Sequence, residues 1–174
     1  MKIFLISGTA GSGKGEVAKL IKEFYIYKLE SSVITEYSKY LKSFAKELTD
    51  WDGNPNTKPR KYLQELGDQI RSIDDMYLVN RMLDDLQIYK ELTDNVIIAD
   101  VRMIQEIEQI KLNYDEVYAI HVINQFGESK LTLEEQLHET ETTLEDYNEF
   151  DYILVNDSLD KLKDKVFKYL EGIK

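Results

Sequence analysis

Apolar residues recur along this chain in two rhythms. Short unbroken runs, Ile3-Phe4-Leu5-Ile6, Val96-Ile97-Ile98-Ala99 and Tyr152-Ile153-Leu154-Val155, alternate with longer stretches in which apolar residues return every three to four positions. The runs predict strands covered on both faces, as parallel strands between helix layers are, and the stretches predict amphipathic helices. The pattern predicts strands over residues 2–7, 32–35, 95–100, 116–123 and 152–155. Helices are expected over 16–29, 37–48, 61–73, 74–91, 103–112 and 159–170. Residues 49–59, with Gly53, Pro55 and Pro59 among Asn, Asp and Thr, read as a loop on turn chemistry. Strands separated by helices imply right-handed crossovers and one doubly wound sheet.

The turn after the first strand carries the most specific signal. Residues 8–15 read Gly-Thr-Ala-Gly-Ser-Gly-Lys-Gly and open the first helix. Glycines let backbone N–H groups close around phosphates, the helix N-terminus adds partial positive charge, and a lysine at that place reaches the β- and γ-phosphates. Gly8, Ala10, Gly11, Ser12, Gly13, Lys14, Gly15 and Glu16 are therefore the expected ATP-binding residues, with Lys14 also catalytic. With this loop, the expected fold is that of a P-loop NTPase: three α/β/α layers around a five-stranded parallel sheet in the order 2-3-1-4-5. One departure stands out. Gly15 and Glu16 follow Lys14, so no Ser or Thr hydroxyl is in place for Mg²⁺.

Composition narrows the class. At 174 residues the chain fits a single domain, and with no cysteine neither disulfides nor thiol chemistry enter. A formal net charge of -11 argues against a nucleic-acid surface, while a local basic pocket for phosphates can persist inside an acidic shell. No apolar run approaches a membrane span and the first strand begins at once, so the expectation is a cytoplasmic protein, monomer or homodimer, acting on small-molecule nucleotides.

In a doubly wound sheet the ligand lies at the carboxyl ends of the strands. This gathers residues 8–14, Glu36, Asp100 and the start of 124–150 around one crevice. Two pieces exceed a plain crossover, 36–92 and 124–150; the first is the expected helical acceptor-binding region, the second a lid-like region. The four arginines, Arg60, Arg71, Arg81 and Arg102, all fall between residues 60 and 102, and the planar guanidinium is a strong phosphate clamp. Asp100, ending an apolar strand, is the expected metal-associated carboxylate and a catalytic residue; its competing role is to cap the helix near residue 103. Arg102 would face the phosphates from the same rim, against a competing pair with Glu106 four residues on. Tyr37, Tyr40 and Phe44, three to four apart, either wall the acceptor pocket or form a core stripe. Tyr37 is the candidate for substrate contact. Residues 124–150 contain no arginine, and Lys130 is their one Lys.

Trp51-Asp52-Gly53, Lys58, Arg60, Leu63-Gln64, Leu66-Gly67 and Arg71 resemble a "WDG…K…R..LQ.LG…R" pattern of phage-type deoxynucleoside monophosphate kinases and their bacterial relatives. Asp100-Val101-Arg102 with Glu106 is similar to that family's "DVR…NE" segment, and His138 to Glu141, with Asp151 and Asn156, to its "H.SE … D..I.N" tail. The resemblance implies transfer of the ATP γ-phosphate to a nucleoside monophosphate with Mg²⁺. By it, Arg60 and Arg71 bind the acceptor phosphate and Gln64 reads the base edge, while His138 and Glu141 belong to the lid. Arg71 could equally form a salt bridge on its helix. Two further readings keep the loop and change the outcome: a kinase of another phosphorylated metabolite, or a nucleotide-binding module without turnover.

Overall fold

The computed structural model describes residues 1–124, 138–144 and 146–173. Five parallel strands form one sheet: β1 (Lys2–Ser7), β2 (Ser32–Thr35), β3 (Asn95–Val101), β4 (Val117–Asn124) and β5 (Tyr152–Asn156), in the order β2-β3-β1-β4-β5. Between them run α1 (Lys14–Tyr27), α2 (Ser38–Leu48), α3 (Arg60–Ile73), α4 (Tyr77–Tyr89), α5 (Ile104–Asn113), the short α6 (Glu139–Thr142) and, at the end, α7 (Leu159–Glu171). The expected sheet order and parallel strand pairing are those observed. Lys130 and most of the expected lid-like region lie outside the described residues.

Period-two alternation in β1 sorts its side chains between two cores. Phe4 and Ile6 pack with α1 and α7 through Val17, Ile21, Leu162 and Val166. Ile3 and Leu5 face the other layer, meeting Leu78, Met82 and Leu86 of α4 and Ile107 and Ile110 of α5. Both faces of the central strands are therefore dry, which is why they read as unbroken apolar runs.

Boundaries moved where a local conformation overrode periodicity. Helix α1 starts at Lys14, because Gly13 adopts φ 103° and acts as its N-cap. Helix α4 starts at Tyr77, later than residue 74, because Asp74 is extended and its carboxylate accepts the Met76 N–H at 3.0 Å. The 49–59 loop holds one 3₁₀ turn, Pro55–Thr57, and the indole of Trp51 donates to the Asn54 carbonyl at 3.1 Å, anchoring the loop. The sheet order reverses between the neighbours β1 and β3, which lead their chains in opposite directions, β1 through α1 to β2 and β3 through α5 to β4. The glycine-rich loop leaves the sheet at that switch point.

Candidate active site

The loop between β1 and α1 is built for close approach. Gly8 has φ 136°, and a Cβ there would lie 2.3 Å from the Val122 carbonyl oxygen of β4. Gly13 is blocked in the same way by the side chain of Asn156, whose amide would stand 2.5 Å from a Cβ. Two strand-end asparagines grip the loop from below: Asn156 Nδ2 donates to the Ser12 carbonyl at 2.9 Å, and Asn124 Nδ2 to that of Gly11 at 3.3 Å. The N-cap residue of α1, Gly13, offers no side chain to cap the helix, and a helix N-terminus beside such a loop suits an anion. Lys14 folds back over the loop, donating to the carbonyls of Gly8 at 2.6 Å and Thr9 at 2.8 Å.

Across the carboxyl edge of β3 lies a cavity of about 170 Å³ between α2, α3 and the 100–106 turn. Its walls combine apolar Tyr37, Leu41, Leu63 and Leu78 with Lys58, Arg60, Arg71 and Arg102. Gln64, Asp100, Glu36, Glu106 and Thr140 also line it. The cations crowd: burial, then Lys42 and Arg60, hold the Lys58 ammonium below its ordinary range. An anion entering here relieves the repulsion among these cations. A smaller recess of about 40 Å³, lined by Gly8, Thr9, His121, Arg102 and Thr140 among others, adjoins the glycine-rich loop. Arg102 and Thr140 line both spaces, so the two open onto a shared wall.

The residues singled out in the sequence converge here, several in roles the sequence did not disclose. Asp100 caps α2, not the helix near 103: its carboxylate accepts the N–H of Tyr37 at 2.7 Å and of Ser38 at 3.0 Å. The capping at 103 belongs to Glu106, which accepts the N–H of Arg102 at 2.7 Å and of Met103 at 3.1 Å. Glu106 thus meets Arg102 through the backbone, while the guanidinium donates to the Thr140 carbonyl at 3.2 Å. Arg71 lines the cavity and also bonds Asp68 three residues before it, at 2.6 Å. Its fork lies over Gly67, where a Cβ would come within 3.2 Å of both terminal nitrogens. Asp68 receives His138 Nε2 at 2.8 Å as well, tying the 138–144 segment to α3. Tyr37 forms wall and core at once, 3% exposed, with its hydroxyl donating to the Glu106 carbonyl at 3.3 Å. Arg81 stands apart, its guanidinium 5.5 Å from the Tyr40 ring centre. Nothing is described of the Glu141 side chain.

Sequence reasoning gave no site role from spacing to Lys58, Glu106 or His121. Lys58 sits in a loop and had only its place in the family-like pattern to mark it. Glu106 carries the one legible signal, a glutamate at the third position of a helix, which is a capping signal and says nothing of a cavity.

The donors present do not fit a Mg²⁺ bound directly by the protein. Gly15 and Glu16 replace the usual hydroxyl, Asp100 directs both oxygens at backbone N–H groups, and the described residues hold no cluster of three metal-ligating side chains.

No protein-family model and no curated protein sequence matches the chain. Among solved structures, TT1252 from Thermus thermophilus matches with a TM-score of 0.60 at 15% identity, over 98% of this chain and 96% of that one. A sugar kinase from Janibacter sp. HTCC2649, in its unliganded form, matches with a TM-score of 0.52 at 14% identity, over 98% and 95%. At such identities the likeness is one of fold, and the fold is the α/β P-loop NTPase fold.

Proposed function

We propose that this protein transfers the γ-phosphoryl group of ATP to a (deoxy)nucleoside monophosphate, releasing ADP and the nucleoside diphosphate. The observation that carries the reading is the shared wall: Arg102 and Thr140 line both the recess beside the glycine-rich loop and the cationic cavity across β3. A loop that cradles one set of phosphates beside a crowded cationic cavity suits two phosphorylated substrates held end to end. In such chemistry the protein positions the reactants and neutralises the charge of the moving group.

In this reading the backbone of residues 8–16 holds the ATP phosphates, and Lys14 turns from the Gly8 and Thr9 carbonyls to the β- and γ-phosphates. Arg60, at the exposed start of α3, and Lys58 meet the acceptor phosphate, with Arg71 behind them and Gln64 and Tyr37 walling the rest. Arg102, between the two spaces, stabilises the phosphoryl group in transit. Asp100 holds the cavity wall in place by fixing the start of α2.

A coupled assay of ADP release, run over the common ribo- and deoxyribonucleoside monophosphates and a set of phosphorylated sugars, tests the proposal. At least one monophosphate is expected to turn over. Arg60→Ala should raise the acceptor KM by roughly 10- to 100-fold, the value of a charge-assisted bond. Intact ATP binding with turnover of no monophosphate would sink the proposal, and turnover confined to phosphorylated sugars would move the acceptor class.

A further inference from the structure

His121 sits on β4 in register with Ser7 of β1, the residue immediately before Gly8. It lies on the same face of β4 as Val117 and Ala119, both buried and apolar, so an imidazole interrupts a face that packing alone would fill with a hydrocarbon. The ring is fixed on two sides. Its Nδ1 lies 2.9 Å from the Ser7 hydroxyl, and its face packs on Phe150 with the ring centres 4.8 Å apart. Beyond that, His121 lines the recess that begins at Gly8 and Thr9 and ends at Arg102 and Thr140.

We propose that His121 is a further catalytic residue, whose Nε2–H donates a hydrogen bond to the γ-phosphoryl oxygens of ATP from the recess beside the glycine-rich loop. The proposal rests on the phosphoryl-transfer reading above. Here the Ser7 hydroxyl, 3.4 Å from the Ile120 carbonyl it can donate to and 2.9 Å from Nδ1, turns its proton to Nδ1. A neutral ring that accepts at Nδ1 carries its own proton on Nε2. Burial first, and then the Lys14 ammonium, hold the imidazole below its ordinary range, so it is neutral at physiological pH. The charged groups that face it are Lys14 from the start of α1 and Arg102 from the end of β3; no described carboxylate lines the recess. A neutral donor between two cations adds a hydrogen bond to a gathering negative charge without adding to their mutual repulsion. During transfer the bond between Pγ and the ADP oxygen breaks, an acceptor oxygen bonds to Pγ, and His121 keeps its proton throughout.

Three variants and one spectrum test this. Asn at 121 keeps a group near Nδ1 and loses the tip, Phe keeps the stacking on Phe150 alone, and Gln returns an N–H near the position of Nε2. His121→Asn and His121→Phe are expected to lower kcat about 10²- to 10³-fold with ATP affinity within about threefold, while His121→Gln recovers to within about tenfold of the parent. Wild-type kcat should fall as pH drops through the imidazole's depressed pKa, and His121→Gln should lack that acid limb. In wild-type protein, imidazole ¹⁵N spectra should show the Nε2–H tautomer, with a signal that moves on saturation with ATP and not with ADP. An unchanged kcat in both the Asn and Phe variants, or an Nε2 signal identical with ADP and ATP, overturns the proposal. A wild-type chain that turns over no acceptor defeats the kinase reading, while the spectrum still decides His121.

Discussion

Glu106 shows how one side chain can take a role that neither of the sequence's alternatives for its neighbour Arg102 contained. A glutamate four residues after an arginine on a helix invites an ion pair; here it is 4% exposed and accepts two backbone N–H groups beneath the cavity. Burial is the largest influence and the nearby Asp100 adds to it, so its pKa is raised to about 7 despite the two hydrogen bonds that favour the anion. Between its unfolded value of 4.5 and about 7, the folded protein holds a proton that the unfolded chain has released. The stability this contributes is full at low pH and is lost as pH rises through 7. Glu106→Gln, which keeps an acceptor and cannot ionise, should therefore gain on the wild type by roughly 3 kcal/mol at most between pH 4.5 and 8.5. Urea denaturation of both proteins across that range measures the difference, and parallel pH profiles would refute it.

At the scale of elements, two short polar links join the sheet to its ligand-facing parts. Asp100 connects the end of β3 to the start of α2, and Asn156 connects the end of β5 to the glycine-rich loop. They predict opposite phenotypes. Asp100→Ala removes two charge-assisted bonds and an N-cap, and is expected to cost about 2–4 kcal/mol and to raise the acceptor KM with ATP affinity within about threefold. Asn156→Ala is expected to weaken ATP by about tenfold and leave the acceptor KM within about threefold, since it loosens the loop and not the cavity. Denaturation and paired KM measurements separate the two, and a common phenotype would show that the links are not independent. Strand positions were legible because two-sided burial writes unbroken apolar runs. The starts of α1 and α4 were not, because they are set by the conformations of Gly13 and Asp74.

For the whole molecule, the acidic total and the basic cavity belong together. With a net charge of -11 the chain carries a general repulsion toward anions, while Lys58, Arg60, Arg71 and Arg102 bring four cations to one cavity. Two sites with a shared wall also predict coupled stabilisation. ATP at 100 times its Kd should add about 2.7 kcal/mol, and an analogue joining ATP to a monophosphate should raise the melting temperature further at equal saturation of the ATP end. Arg60→Ala should remove the excess and keep the ATP increment. An equal shift for ATP and the joined analogue in the wild type would show that the cavity takes no monophosphate.

The sequence by itself determined the glycine-rich loop and the five strands, because these follow from local conformation and from periodic burial, which neighbouring residues encode; the strand order was expected only through the fold that the loop implies. It also pointed to Arg60, Arg71, Asp100 and Arg102 as residues of one region. What each of them touches was decided only by tertiary structure. Asp100 reaches Tyr37 across 63 positions, Arg102 reaches Thr140 across 38, and Ser7 meets His121 across 114. Such pairings are set by the crossovers of the sheet, so whether a carboxylate caps a helix, or a histidine lines a recess, was settled when distant strands came into register.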